Sequence, residues 1–117
     1  MPERRYDGMR AYAQSKLALA MFTFDLSEQL AGTGVTANCL HPATLMDTRM
    51  VREGFGAPMS STAEGARATE RLITSPELAD VSGRYSDGMR ETRANGQAYD
   101  LDARARLREL SERLTGA

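Results

Sequence analysis

Tyr12 and Lys16 stand four residues apart in "AYAQSKLAL", and Lys16 is the only lysine among 15 basic residues, every other one being arginine. Four residues is about one helical turn, so in a helix the two side chains share a face. A phenol with an unperturbed pKa near ~10 is a poor acid–base group at neutral pH. An ammonium held close to it favours the phenolate. A phenol tuned in this way can protonate a carbonyl oxygen or take the proton of an alcohol. Lysine suits the task better than arginine, because a compact ammonium can sit beside the phenol and still give protons to ligand hydroxyls, whereas guanidinium is a wide planar fork. Tyr and Lys at this spacing also decorate ordinary helix surfaces, and the pair alone does not separate the two readings.

The element that must position the pair is predicted as a helix from about Met9 to Ala31, rich in Ala, Leu, Met, Gln and Glu, all good helix formers. Gly32, in "GTG", is a suitable residue just beyond its C-terminus. Apolar residues lie nearly all round this helix, from Leu17 through Met21, Phe22 and Phe24 to Leu26, which predicts cover on two sides. "VTANCLHP" reads as a short buried strand, through Val35, Ala37, Cys39 and Leu40, stopped by Pro42. A loop rich in Met and Gly follows, with a helical turn around Arg49 to Glu53. Ser61-x-x-Glu64 spells a capping box for a helix running to about Thr74, before Pro76. "VSGRYSD", Val81 to Asp87, is a candidate strand. From about Asp102 a last amphipathic helix carries Leu107, Leu110 and Leu114 as its docking stripe, with Glu109 and Arg113 at i,i+4.

Strand, helix, strand is a βαβ unit and implies parallel pairing. Two parallel strands are not a finished sheet, since parallel sheets need cover on both faces. The fold class is therefore expected to be α/β, with about two strands and three to four helices forming part of a larger fold.

"YAQSK", Tyr12 to Lys16, resembles the Y-x-x-S-K signature of the short-chain dehydrogenase/reductase family. The likeness continues through "LSEQLAGTGVTANCLHP", similar to the family's run from its catalytic helix through the sixth strand to the proline after it, and through "GRYSDG", similar to the seventh strand. The resemblance implies a Rossmann-like domain with a doubly wound parallel sheet, of which residues 1–117 are the C-terminal part, and hydride transfer between NAD or NADP and an alcohol or carbonyl substrate. Tyr12 would be the catalytic acid/base and Lys16 its activator and a partner of the nicotinamide ribose. Ser15 belongs to the signature without being the family's catalytic serine. The segment after the strand would lie against the cofactor, with Pro42, Ala43, Thr44, Leu45 and Thr48 as contacts. Family members usually have Pro-Gly there and a threonine a few residues on. Here Ala43 replaces the glycine, Thr48 falls one residue later than the commonest spacing, and Thr44 is the other hydroxyl in reach. Arg49 to Met59 would contribute to the substrate lid. "HPATLMDTRMV" and "YSDG" are reminiscent of members acting on bulky apolar alcohols such as retinol-like compounds.

Other parts of the family's site have no match here. A glycine-rich turn from a strand into a helix, which holds the pyrophosphate, is missing; "GTGV" follows a helix and precedes a strand, the reverse order. No serine precedes Tyr12. Met1 is accordingly expected to be an internal or misassigned start, or that of a truncated frame. The 117 residues alone are expected to be inert, with an apolar helix favouring homo-oligomers through the Tyr12 helix. The competing reading is a non-catalytic remnant acting as a helical association module.

Composition narrows the partners. A net charge of −1 and a pI near 5.8 offer no footprint for nucleic acid. The run "LALAMFTF" is far too short to span a bilayer, and the N-terminus has no secretory pattern, so a cytoplasmic location is expected. Cys39, the only cysteine, cannot form an internal disulfide and reads as a buried small hydrophobe. His41 is the only histidine and reads as a structural or loop residue rather than a metal ligand; no metal site is expected.

Overall fold

The computed structural model describes residues 8–41 and 62–116. In chain order the elements are α1 (Gly8–Gln29), β1 (Cys39–His41), α2 (Thr62–Thr74), β2 (Tyr85–Asp87), β3 (Arg90–Thr92) and α3 (Leu101–Thr115), with 3-10 turns at Pro76–Leu78 and Gly96–Tyr99. β1 and β2 pair in parallel, Cys39 opposite Tyr85 and His41 opposite Asp87, with α2 between them in sequence. This is the βαβ arrangement expected of an α/β chain that forms part of a Rossmann-like fold.

The sheet differs from the expectation in one respect. It has three strands and is mixed, because β3 runs antiparallel to β2 with Ser86 opposite Glu91. The cause lies in Asp87-Gly88-Met89-Arg90, where Gly88 has φ 60°. A tight two-residue hairpin loop of this hand needs a positive φ at its first central position, which glycine adopts without steric penalty. The Gly88 N–H also donates to the His41 carbonyl at 2.7 Å, fastening the end of β1 to the hairpin.

β1 is shorter than "VTANCLHP" suggests. Val35 is 57% exposed, and only the last part of the run forms a ladder. The residues before it are held by one backbone bond, from the Gly83 N–H to the Ala37 carbonyl at 2.8 Å, and by side chains. The Asn38 amide donates to the Val81 carbonyl at 2.8 Å and accepts from the Arg84 N–H at 3.0 Å. The Ser82 hydroxyl accepts from the Ala37 N–H at 3.0 Å and shares a 2.7 Å hydrogen bond with Ser27 of α1. Both devices satisfy backbone or hydroxyl groups that a longer ladder would otherwise pair.

The core is small and centres on α1. Ala20, Met21 and Phe24 pack with Cys39 and Ala98, and Leu17, Tyr85, Tyr99 and Leu107 close round them. The expected two-sided cover of α1 is found on one side only among the described residues: Leu19 and Phe22 remain 47% and 59% exposed. α2 follows its expected course to Thr74, while Ser61 of the capping box lies outside the described residues. α3 begins at Leu101, because the Asp100 carboxylate accepts from the Asp102 and Ala103 N–H groups at 2.9 and 3.1 Å and caps it.

Of the leucine series on α3, Leu107 packs against the core while Leu110 and Leu114 do not. Leu110 and Leu114 are 42% and 75% exposed, whereas Arg104 is 5% exposed. Arg104 Nε donates to Asp25 Oδ1 at 2.7 Å and its Nη2 to Glu28 Oε1 at 2.8 Å, while Arg108 Nη1 reaches Asp25 Oδ2 at 2.8 Å. A charged contact thus ties α3 to α1 beside the apolar one that Leu107 makes.

Candidate active site

The N-terminal half of α1, the end of the sheet and the chain before the second 3-10 turn enclose a cleft of about 260 Å³. Tyr12 and Lys16 line it from α1, Cys39 and His41 from β1, Tyr85 from β2, and Asn95 from the opposite wall. Helical spacing brings Tyr12 and Lys16 to the same opening, as their separation requires. Tyr12 is 38% exposed at the rim, and Lys16 is half-buried. Ser15 points elsewhere: its hydroxyl donates to the Tyr12 carbonyl at 2.8 Å.

Charges inside the cleft act on one another. Burial pushes the Cys39 thiol above its ordinary value, and a hydrogen bond with Thr23 and the positive charge of Lys16 work in the opposite direction. Burial likewise raises the Tyr85 phenol, and the negative charges that Asp87, Cys39, Tyr12 and Tyr99 can carry add to the effect. Lys16 is therefore within electrostatic reach of Cys39, and Tyr12 of Tyr85. The cleft gathers two phenols, an ammonium, a thiol and an imidazole above an apolar floor of Leu17, Ala20 and Leu40.

The opposite wall is positioned by contacts remote in sequence. The Ala94 N–H donates to the Tyr99 hydroxyl at 3.0 Å. The Tyr99 ring stacks on Phe24 of α1 with centroids 4.9 Å apart and planes 24° from parallel. The guanidinium carbon of Arg93 sits 4.0 Å from the centre of the same ring. Ala94 and Asn95 are thereby carried on the helix that bears Tyr12 and Lys16. Sequence reasoning missed Cys39, His41, Tyr85 and Asn95 as parts of the cleft; only the position of Cys39 and His41 at a strand end just before Pro42 hinted at it. The expected cofactor contacts Pro42, Ala43, Thr44, Leu45 and Thr48 lie outside the described residues, as does the lid segment from Arg49 to Met59.

A second hollow, a groove of about 620 Å³, runs between α1 and α3, lined by Leu19, Phe22 and Leu26 on one side and Leu107, Arg108 and Ser111 on the other. Among the described residues, no group of three or more His, Cys, Asp or Glu side chains is placed to hold a metal ion, and no helix is long and apolar enough to cross a membrane.

Comparison with known proteins gives a consistent picture. The family model described as short chain dehydrogenase matches residues 3–57. Retinol dehydrogenase 13 of Homo sapiens is 38% identical over 127 residues, covering 97% of this chain and 38% of that protein. Retinol dehydrogenase 14 of Homo sapiens is 32% identical over 126 residues, covering 97% of this chain and 38% of its own. Polyprenol dehydrogenase of Homo sapiens is 33% identical over 123 residues, covering 95% of this chain and 37% of its own. The chain thus spans little more than a third of the length of these curated relatives. No solved structure matches it at a significant level.

Proposed function

Because this chain belongs to the short-chain dehydrogenase family, we propose that its cleft serves the exchange of hydride between NAD or NADP and an alcohol or carbonyl substrate. The observation that carries this reading is the opening of Tyr12 and Lys16 on one cleft with an apolar floor. In the reducing direction the Tyr12 hydroxyl gives its proton to the carbonyl oxygen. In the oxidising direction the Tyr12 oxygen takes the proton of the alcohol. The Lys16 ammonium stabilises negative charge on the Tyr12 oxygen and holds ribose hydroxyls. Leu17, Ala20 and Leu40 keep water from the reacting groups. When bound, the nicotinamide supplies or accepts the hydride.

The residues present fit the nicotinamide end of such a cofactor. A cationic donor and a phenol stand over an apolar floor, and a cleft of about 260 Å³ lies just below the ~300–1,000 Å³ that drug-sized ligands occupy. A whole dinucleotide does not fit in it. Among the described residues, no glycine-rich turn leads from a strand into a helix to hold a pyrophosphate. The 117 residues by themselves are therefore expected to bind the cofactor weakly and to turn nothing over. The names of the relatives, retinol and polyprenol dehydrogenases, support a bulky apolar alcohol as substrate.

A second reading, self-association through α1, is favoured by the exposed Leu19 and Phe22 beside the groove. The main reading is tested by thermal unfolding of the chain with and without millimolar NADH and NADPH. A rise in the transition temperature that disappears in Lys16→Ala supports it. No rise, or an equal rise in both proteins, refutes it. Sedimentation of the same samples, compared with Phe22→Ser, tests the second.

A further inference from the structure

The chain contains two asparagines, Asn38 and Asn95, and they are used differently. Asn38 has both ends of its amide engaged, the NH2 with the Val81 carbonyl and the oxygen with the Arg84 N–H. It is a structural residue. Asn95 accepts the Gln97 N–H on its Oδ1 at 2.9 Å and so caps the turn Gly96–Tyr99. That bond fixes which end of the amide faces the turn and leaves the NH2 group with no partner among the described residues. The same residue lines the cleft of Tyr12 and Lys16, and its backbone is held to α1 through Ala94, Tyr99 and Phe24. Asn95 is exposed at the cleft, and a donor whose amide is oriented by its turn and whose neighbour Ala94 is tied to α1 can recognise a ligand oxygen there.

We propose that Asn95 determines specificity in the cleft, its side-chain NH2 donating a hydrogen bond to an acceptor oxygen of the bound alcohol or carbonyl compound. The inference rests on the reading of this cleft as the reaction site. The capping bond and the donor role belong to different atoms of one amide, so substitution separates them. Asp and Ser both preserve a capping oxygen; neither has the NH2. Loss of one neutral hydrogen bond of about 0.5–1.5 kcal/mol weakens binding by about 2- to 13-fold.

The test uses the 117-residue chain labelled with nitrogen-15, titrated with acetophenone and, as its counterpart without the oxygen, ethylbenzene. The side-chain NH2 signals of Asn95 are identified by their loss in Asn95→Asp. Acetophenone is expected to move these signals downfield, with ethylbenzene leaving them in place. Binding of acetophenone is expected to weaken by the stated factor in both Asn95→Asp and Asn95→Ser, while the unfolding midpoints of both variants stay at the wild-type value. Acetophenone binding that depends on Tyr12 and is unchanged in both Asn95 variants overturns the role of Asn95 and leaves the oxidoreductase reading standing. No perturbation of cleft residues by acetophenone in the wild-type chain overturns the inference as well, and the cofactor-dependent unfolding experiment then decides separately whether the cleft is a reaction site.

Discussion

Asp25→Asn is expected to destabilise the chain far more than its modest chemistry suggests. The carboxylate takes Arg104 on one oxygen and Arg108 on the other, both within 2.8 Å. The side chains of Asp25 and Arg104 are 11% and 6% exposed. Removing the charge leaves Arg104 buried, with Glu28 as its remaining carboxylate, and the Glu28 side chain is 65% exposed. Breaking one partner out of a buried pair destabilises by about 3–5 kcal/mol. Because Glu28 still compensates in part, the lower end, about 3 kcal/mol, is expected here. Glu28→Gln, which loses only the exposed contact, is expected to change stability by at most ~1 kcal/mol. The double variant Asp25→Leu/Arg104→Met removes both charges and restores packing, so it is expected to be more stable than Asp25→Asn alone. Urea unfolding followed by far-ultraviolet circular dichroism measures all three, with the slope checked for constancy. The reasoning is refuted if Asp25→Asn and Glu28→Gln cost the same, or if the double variant is no more stable than Asp25→Asn.

Four further outcomes follow from the geometry. The folded state raises the Cys39 thiol above the ordinary value of 9.0; the group is protonated more readily when folded, so its contribution is complete below that value and is lost as pH rises through the higher folded one. Urea midpoints are expected to fall above about pH 9, and the fall is expected to be smaller in Cys39→Ala. Lys16→Ala removes the charge that opposes this shift, so alkylation of Cys39 by iodoacetamide near pH 9 is expected to slow; an unchanged rate contradicts the placement of Lys16 at the cleft. Gly83 has φ 72°, and a Cβ there would stand 2.9 Å from the Ser27 hydroxyl oxygen, so Gly83→Ala is expected to cost about 2 kcal/mol in urea unfolding. Tyr99→Phe keeps the stack on Phe24 and orphans the Ala94 N–H; a loss of about 1–2 kcal/mol is expected by the same assay.

What was legible in the sequence was local. The spacing of Tyr12 and Lys16, the good helix formers around them and the stop at "GTG" lie within a few turns of one another, and α1 forms almost where they place it. The parallel pairing of β1 and β2 followed from a helix lying between two short strands. β3 escaped because Arg90, Glu91 and Thr92 are all exposed, so no apolar alternation marks them; Gly88 after the short strand was the turn signal that could have revealed it. The face of α3 was read only in part, Leu107 docking and Leu110 and Leu114 not. A leucine at every third or fourth position suggests an apolar seam, but the partner surface offers Asp25, and a buried carboxylate selects arginine over leucine. The far wall of the cleft depends on Tyr99 meeting Phe24, a contact between distant parts of the chain that no window of sequence contains.

The clasp between α1 and α3 also has a meaning in time. Asp25 and Arg104 are separated by 79 positions. On a ribosome adding about 5–20 residues each second, that separation amounts to roughly 4–16 s between the two. During the interval α1 has been made but its carboxylate has no arginine, and Met21 and Phe24, which end up 7% and 4% exposed, have neither Ala98 nor Tyr99 to cover them. The helix that bears Tyr12 and Lys16 is thus made before the residues that complete it, and its apolar face stays uncovered while they are being synthesised.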